Sequence, residues 1–376
     1  MKKIIALLSL IALVFSLAAC ELPLDFLNPE IPEGSGSDLP ENPENPETPE
    51  DPEDPEEPTG PVCEHEFVEI GRTEAKPLSD GVIISKCGLC DEEKTDIHTP
   101  MTKKLKVLAI GNSHSENAVA DLWDVCASAG LTNLVIGNAV IGGSGLSDHV
   151  TSILYNNSVY TYKKYTGDAS KNVSEGNVKI DKVFNDEKWD VVVIQQRSQY
   201  VQDSTFVYLD KLIETINKKC PNAEIYWHIT WSFENIENFS SASMKDTFIK
   251  NFEGDSMVMY EAMIDAVEKH IIPNENIKTI ISAGTAIQNL RSSYVGDTLT
   301  RDGVHVKPGM ARYTVALTWY AFLTGGSLDL VKWYPSNLEQ MKEVLSNYNV
   351  IAESVENALK NPYDITQSQY VSDPFK

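Results

Sequence analysis

The chain has 376 residues with 55 acidic and 31 basic side chains, giving a formal net charge of −24. This balance argues against a nucleic-acid-binding protein, because phosphate binding needs clustered cations. Much of the acidic excess lies between Glu21 and Val62, a segment without Lys or Arg that indicates a solvated tether and says little about the folded part.

The N-terminus has the pattern of an export signal. Two lysines precede the apolar run Ile4 to Leu17, which is shorter than the roughly 20 residues of a membrane span and ends in two alanines. The pattern predicts a signal peptide over residues 1–19. The tetrapeptide Leu17-Ala18-Ala19-Cys20 resembles a bacterial lipobox, which implies that Cys20 is lipidated and anchors an extracytoplasmic protein to the membrane or cell surface. The alternative is an ordinary cleaved signal with a chance cysteine.

Residues 20–61 are predicted to be a disordered linker after the lipidated cysteine. The segment repeats Pro-Glu and Asn-Pro units and has almost nothing apolar to bury. Its prolines favour extended polyproline geometry and its like charges repel one another, so the segment is expected to hold the folded part away from the lipid.

Residues 62–100 are expected to form a small module stapled by a metal. Cys63 and His65, followed by the pair Cys87 and Cys90, offer four N and S ligands, enough for a tetrahedral Zn²⁺. The pattern resembles zinc-ribbon-like modules of secreted bacterial proteins. His98 could replace Cys63 or His65. The alternative is a disulfide, but three cysteines leave one unpaired. Either staple would be structural, since so small a unit needs one to fold.

From residue 104 onward, apolar runs alternate with amphipathic stretches. Strands are expected at 105–110, 134–136, 189–195, 224–230 and 277–282, and helices at 117–129, 206–219, 257–270, 308–324 and 338–359. This alternation predicts an α/β domain over residues 104–361, with a parallel sheet of about five strands covered on both faces, and a C-terminal tail at 362–376. The long connections 155–181 and 232–255 are expected to shape a pocket.

Two motifs lie where such a sheet would build a site. The first strand leads into Gly111-Asn112-Ser113, where the serine could present its hydroxyl to the cleft and its N–H near the positive end of a helix. A structural serine that caps the helix is the alternative. Near the other end of the domain, Asp302 precedes His305 by three residues, so its carboxylate could bond Nδ1–H and hold Nε2 toward a nucleophile.

Together the two motifs resemble the SGNH (GDSL-like) hydrolases, whose first block is usually Gly-Asp-Ser and is Gly-Asn-Ser here. The resemblance spans roughly residues 104–330 and implies a three-layer, flavodoxin-like fold. It also implies that Ser113 is the nucleophile, His305 the general base and Asp302 the residue that orients it. No cofactor is implied for the chemistry.

The middle blocks of that superfamily supply the oxyanion hole. The resemblance implies that the N–H groups of Ser113 and Gly143 donate to the oxyanion. The third block, normally Gly-x-Asn, is replaced here by Gln195-Gln196-Arg197-Ser198. A glutamine amide could donate the same bond, and alternation along the strand lets only one of Gln195 and Gln196 face the cleft. Loss of one such donor can cost about 10²–10³ in rate.

Three functions are consistent with these features. The first is a cell-surface serine esterase that deacylates carbohydrate or another small ester, with His228 and Trp231 as pocket residues. The second is an inactive lipoprotein that binds glycans through the same fold. The third is a flavodoxin-like nucleotide-binding domain, which is disfavoured because the first loop has neither Gly-x-Gly-x-x-Gly nor a Walker pattern.

Overall fold

The computed structural model describes residues 63–100, 103–235, 239 and 241–372. The predicted signal peptide, Cys20 and the Pro/Glu linker lie outside the described residues. Two compact units make up the described chain, one of residues 63–68 with 86–93 and the other of residues 69–85 with 94–372. Within these residues, no helix is both long and apolar enough to cross a membrane.

A three-stranded sheet lies near the start of the described chain. Its strands are β1 (Phe67–Thr73), β2 (Gly81–Cys87) and β3 (Glu93–His98), in the order β1-β2-β3. Part of this segment belongs to the larger unit, since the Leu78 N–H donates to the carbonyl of Thr324 at 2.9 Å and the Lys76 ammonium to that of Phe322 at 2.6 Å. The module predicted over residues 62–100 therefore does not coincide with either compact unit.

The larger unit is built on a seven-stranded sheet with the order β10-β9-β8-β4-β5-β6-β7. Its strands are β4 (Leu105–Gly111), β5 (Leu134–Val140), β6 (Tyr160–Thr166), β7 (Val173–Val178), β8 (Val191–Ile194), β9 (Glu224–His228) and β10 (Ile277–Ile281). The five strands from β10 to β5 are parallel, and their order is that of flavodoxin-like sheets. The predicted α/β fold with a mostly parallel sheet is confirmed.

The sheet differs from the prediction in its two extra strands. β6 pairs antiparallel with β5, and β7 antiparallel with β6, within a stretch expected to be a long connection. In β6, buried Tyr160 and Tyr162 alternate with an exposed threonine. This alternation fits a strand near the sheet edge, where charged and polar residues limit further pairing.

Helices cover both faces of the sheet. They are α1 (Ser113–Val119), α2 (Leu122–Ser128), α3 (Leu146–Leu154), α4 (Ile180–Asp186), α5 (Asp203–Phe206), α6 (Leu209–Lys219), α7 (Ala242–Phe252), α8 (Ser256–His270), α9 (Ala283–Arg291), α10 (Met310–Thr324), α11 (Leu338–Ser346) and α12 (Tyr348–Lys360). Alternate residues of β4 divide between two cores: Val107 and Ala109 pack with α1, α2, α9, α10 and α12, whereas Leu108 and Ile110 pack with α3, α4, α6 and α8. Burial on both faces explains the continuous apolar runs of these strands.

The segment after α12, predicted as a tail, packs on α9 as far as it is described. The N–H of Thr366 donates to the side chain of Asn289 at 2.8 Å, and the N–H of Tyr294 donates to the carbonyl of Tyr370 at the same distance. Backbone bonds to buried groups order this segment against the domain.

Candidate active site

The carboxyl end of β4 lies at the point where the strand order reverses, between β5 on one side and β8 on the other. Crevices form at such points in open α/β sheets. Gly111, the last residue of β4, lies against the side chain of Gln195, which follows β8. A Cβ added at Gly111 would be 2.8 Å from the amide carbon of Gln195. A glycine is needed here because of this close approach.

Ser113, Asp302 and His305 form a continuous chain of hydrogen bonds. Ser113 is the first residue of α1 and follows Asn112, which connects β4 to this helix. Its Oγ lies 2.8 Å from Nε2 of His305, whose Nδ1 lies 2.7 Å from Oδ2 of Asp302. The structure thus brings together three residues that are up to 192 positions apart in the sequence. The arrangement can remove a proton from the serine hydroxyl and stabilise the resulting imidazolium.

The Asp302 carboxylate is held in its ionised form. Burial alone would raise its pKa, but the backbone N–H of His305, the His305 imidazole and the backbone N–H of Val304 outweigh that effect and lower the pKa below its usual value. The two backbone donors both bond Oδ1, at 2.8 and 3.2 Å, which leaves Oδ2 for the imidazole. An ionised orienting carboxylate stabilises a positively charged histidine.

The loop that carries Asp302 and His305 is fixed on both sides. Thr300 and Val306 pair as an antiparallel bridge, and Gly303 between them has a φ of +85°, a region that favours glycine. The indole N–H of Trp231 donates to the carbonyl of Val304 at 2.7 Å. Trp231, a predicted pocket residue, is fully buried. Its side chain therefore supports the loop instead of lining an opening.

Asn112 joins three segments beneath the serine, a role that the sequence analysis missed. Its side-chain oxygen accepts from the N–H of His114 at 2.9 Å and from the amide of Gln195 at 2.9 Å, while its Nδ2 donates to the carbonyl of Ser144 at 2.8 Å. The available signal was that asparagine is a favoured helix N-cap. An asparagine can donate and accept at once, whereas the aspartate usual in the motif can only accept when ionised.

His114 packs under His305. Its ring centroid lies 4.6 Å from that of Trp231 and 5.9 Å from that of His305. Burial, followed by the charges of His305, His228 and Arg197, holds the pKa of His114 well below its usual value. A neutral ring in this position does not oppose the formation of a charged His305.

The backbone around Gly143 lies beside the serine turn. Gly143 has a φ of +66°, in a turn closed by the Ser144 N–H donating to the carbonyl of Ile141 at 3.2 Å. The Ile141 N–H donates to the carbonyl of Gly111 at 3.0 Å, which ties this turn to the residue before the Asn112-Ser113 pair. The predicted oxyanion donors on Ser113 and Gly143 therefore belong to two loops that are bonded to each other.

The two glutamines of the third block have different partners. The Gln195 amide donates to Asn112, whereas the Gln196 amide donates to the carbonyl of Thr205 at 3.0 Å. The Gln196 oxygen also accepts from the N–H of Leu146 at 3.1 Å, so this side chain joins β8's end to α3. Each amide nitrogen carries two N–H groups, and one of them is used by these bonds. The choice between the two as oxyanion donor stays a prediction.

His228, the second predicted pocket residue, is almost completely buried at the end of β9. Its Nδ1 lies 3.3 Å from the oxygen of Gln195, and its ring meets Trp319 edge-on with centroids 4.9 Å apart. Burial lowers the pKa of His228 to about 3. A cavity that His228 lines has a volume of about 20 Å³, which is the size of a water and not of a substrate.

The cysteine and histidine ligands predicted in the small module lie together. One ligand atom from each of Cys63, His65, Cys87 and Cys90 can be chosen so that all four fall within 4.8 Å of one another. The sulfurs of Cys63 and Cys87 are 3.9 Å apart, and the Cys90 sulfur lies 3.3 Å from Nδ1 of His65. With bonds of about 2.3 Å to sulfur and 2.0–2.1 Å to nitrogen, such spacings fit the edges of a tetrahedral zinc site. His98 is not part of this group.

Comparison with known proteins places the domain in a family. The fold is a three-layer α/β domain with a site at the switch point of its sheet. Residues 106–349 match the family DUF4886, a domain of unknown function, and the chain belongs to that family. A DUF4886 family protein from Bacteroides uniformis, known from a crystal structure, is 32% identical with a TM-score of 0.64, covering 72% of this chain and 100% of that one.

More distant structures also align. A candidate SGNH hydrolase from Slackia heliotrinireducens is 19% identical over 58% of this chain and 99% of its own, with a TM-score of 0.34. A candidate GDSL-like lipase from Parabacteroides merdae is 12% identical over 60% of this chain and 97% of its own, with a TM-score of 0.37. A search of curated proteins finds no match.

Proposed function

We propose that the protein is a serine ester hydrolase of the SGNH type. The observation that carries the proposal is the hydrogen-bonded chain from the Ser113 hydroxyl through His305 to Asp302, with links of 2.8 and 2.7 Å. A serine that only capped its helix would not need a histidine and a carboxylate aligned behind its hydroxyl. Here the N-cap is Asn112 instead, which leaves the Ser113 hydroxyl for chemistry.

The reaction would proceed through an acyl-enzyme. Ser113 Oγ attacks the ester carbonyl while His305 Nε2 takes its proton, and the carbonyl oxygen becomes an oxyanion near the N–H groups of Ser113 and Gly143. His305 then gives the proton to the departing alcohol. Water, deprotonated by His305, then attacks the acyl-serine; the bond to Ser113 Oγ breaks, Oγ takes the proton back from His305, and the acid is released. Asp302 balances the imidazolium charge in both steps.

The proposed substrate is acylated carbohydrate, with acetyl or another small acyl group removed. The substrates common in the SGNH superfamily and the predicted extracytoplasmic location support this substrate class.

Export and anchoring rest on the N-terminal motif alone. Fatty-acid labelling of the full chain would test them, and the label should be lost in Cys20→Ser. If the protein proves inactive, glycan binding without cleavage is the second function, favoured by the replacement of Gly-x-Asn with Gln195-Gln196.

We further propose that Cys63, His65, Cys87 and Cys90 hold a structural Zn²⁺. Three sulfurs and one ring nitrogen are the ligand set that zinc prefers, and their spacing supports a tetrahedral site. A disulfide would use two of the three sulfurs and leave the third beside His65. The metal would have no part in ester hydrolysis.

The direct test of the esterase is hydrolysis of an aryl acetate by the purified full chain. Ser113→Ala and His305→Ala should each reduce the rate by at least about 10³-fold with an unchanged circular dichroism spectrum. Ser204→Ala, which alters an exposed serine, is the matched control and should keep full activity. A wild-type rate no higher than that of Ser113→Ala, together with no labelling of Ser113 by a fluorophosphonate, would show that the protein is not a serine esterase.

A further inference from the structure

A pocket of about 350 Å³ borders the loop that carries Asp302 and His305. Glu116 and Asn117 of α1 form part of its wall, and they follow Ser113 by three and four residues, which places them on the same side of the helix. Arg301 forms another part, directly before Asp302 in the chain, and its Nε lies 3.8 Å from Oδ2 of Asp302. The pocket therefore lies beside Asp302, and its α1 wall is about one helical turn from Ser113.

Three cations face this pocket: Lys163 from β6, Arg301 and Arg312. Each has an acidic neighbour. The Lys163 ammonium is 2.6 Å from Glu116, Nε of Arg312 is 2.8 Å from Asp121, and Arg301 has the longer contact to Asp302. These acidic groups balance the three positive charges. The affinity of the pocket for an anion therefore depends on which N–H groups of the cations are free to bind it.

The two arginines keep their terminal nitrogens for a ligand. Both contact their carboxylates through Nε, and neither Nη group of Arg301 or Arg312 donates a hydrogen bond to any residue that the structure describes. A guanidinium presents its N–H groups as a planar fork that matches the two oxygens of a carboxylate. Two such forks at one pocket favour an anionic group.

The rest of the pocket wall combines polar and apolar groups. Asn117, Asn138 and Tyr165 contribute amide and hydroxyl groups, and Val119 and Ala120 contribute apolar surface. A sugar ring has hydroxyls at its edge and C–H groups on its faces, so it suits such a mixed wall. A volume near the lower end of small-molecule sites, roughly 300–1,000 Å³, suits one hydroxylated ring better than a long acyl chain.

We propose that this pocket binds an acidic sugar, the alcohol part of the ester that Ser113 attacks. The sugar carboxylate would bond the Nη groups of Arg301 and Arg312. The proposal rests on the esterase function and narrows its substrate from acylated carbohydrate to acylated acidic carbohydrate. Arg301 and Arg312 would then determine specificity without taking part in the proton transfers.

The test compares two substrates of the full chain, O-acetylated methyl galacturonoside and O-acetylated methyl galactoside, which differ only in the carboxylate. We expect the acidic sugar to have a kcat/KM at least tenfold higher, because a charge-assisted bond to arginine changes binding by roughly 10- to 100-fold. Arg301→Gln and Arg312→Gln should each lower the ratio of the two values at least fivefold. Arg312→Lys, which keeps the pairing with Asp121, should retain part of it, and Arg72→Gln on β1 should leave it unchanged.

The outcomes distinguish failure of the acidic-sugar pocket from failure of the proposed esterase function. Hydrolysis of both sugars at equal kcat/KM, lost in Ser113→Ala, would overturn the acidic-sugar pocket and leave the esterase intact. If neither sugar is hydrolysed, calorimetric binding of methyl galacturonoside decides: binding that is weakened in Arg301→Gln supports the pocket without the chemistry. The absence of such binding to the folded wild type would overturn the pocket.

Discussion

The triad and the Cys/His group are both clusters of reactive side chains, but they are held in different ways. Around the triad, Trp231, Asn112 and Gln195 are buried and bond the loops to one another. In the unit of residues 63–68 with 86–93, Phe67 and Leu89 are exposed, and the four candidate ligand side chains lie within 4.8 Å of one another. The large unit should therefore stay folded when triad side chains are replaced, because a hydrophobic core holds it. The small unit should lose its structure when ligand side chains are replaced, because a metal there would take the place of a core.

The largest effect expected from this contrast is the loss of metal. Structural zinc contributes about 10–16 kcal/mol of apparent binding free energy in zinc-finger peptides, all of it coupled to folding. We expect one zinc per chain by elemental analysis. Cys90→Ser or a chelator should remove it and raise hydrogen exchange at residues 86–93, with the aryl-acetate activity kept.

His98→Asn is the matched control, because His98 lies outside the four-ligand group. Its zinc content should equal that of the wild type. Mass spectrometry that finds Cys63 and Cys87 joined as a disulfide in the native protein, or zinc retained in Cys90→Ser, would contradict the metal site.

The next effect concerns the tautomer of His305. In Asp302→Asn the new amide oxygen can still accept the two backbone N–H groups, so the loop should keep its shape. An amide N–H facing Nδ1 would, however, move the ring proton to Nε2, where it blocks removal of the serine proton. A loss of about 10⁴ in kcat, roughly 5 kcal/mol, is expected with the free energy of unfolding changed by less than about 1 kcal/mol. A rate within tenfold of the wild type would mean that Asp302 does not orient His305.

Much of this contrast could be predicted from the sequence, and the reasons are local. The apolar runs of β4 and β8 indicate buried parallel strands, and the motifs that contain Ser113, Asp302 and His305 resemble blocks of the SGNH hydrolases. The residue types and spacing of Cys63, His65, Cys87 and Cys90 also predict a metal-binding group.

The other features of the fold and the site depend on tertiary contacts, which the spacing of residues along the sequence does not reveal. His228 ends β9 and Trp231 follows it, positions typical of pocket residues, but the loop at Gly303 and helix α10 cover them. Only tertiary packing decides this. The pair β6 and β7 was missed because mixed tyrosine and lysine residues have neither a continuous apolar run nor strict alternation. The Nη groups of Arg301 matter only because β6 and α1 enclose a pocket beside them.

A smaller effect comes from the buried histidines of the large unit. Burial lowers the pKa of His114, of His149 to about 4 and of His228 to about 3. Since an unfolded histidine has a pKa near 6.5, the unfolded chain binds more protons, so stability falls as the pH drops below about 6.5 and levels off near the folded values. His149 and His228 each contribute a slope of roughly 1.4 kcal/mol per pH unit, or about 2 kcal/mol at pH 5.

Urea unfolding at pH 7.5 and pH 5 measures this loss. His228→Gln should reduce the difference between the two pH values by about 2 kcal/mol, whatever its effect at pH 7.5. Ser204→Ala, which alters an exposed side chain without a titratable group, is the control and should leave the difference nearly unchanged. An equal pH dependence in His228→Gln and the wild type would show that His228 is protonated without penalty in the folded protein.

The smallest effect tests why the serine motif contains asparagine. Asn112 and Asn337 are both N-caps whose side-chain oxygen accepts helix N–H groups, but only Asn112 is buried and donates its amide to a carbonyl, that of Ser144. Aspartate serves equally well as an exposed N-cap, so Asn337→Asp should be neutral within about 0.5 kcal/mol. Asn112→Asp would lose the bond to Ser144 and face a carboxylate oxygen toward that carbonyl, which should lower the free energy of unfolding by about 1–3 kcal/mol. Equal urea midpoints for the two variants would show that the serine turn and the Gly143 loop do not depend on this amide, and that the motif would accept the acidic residue without cost.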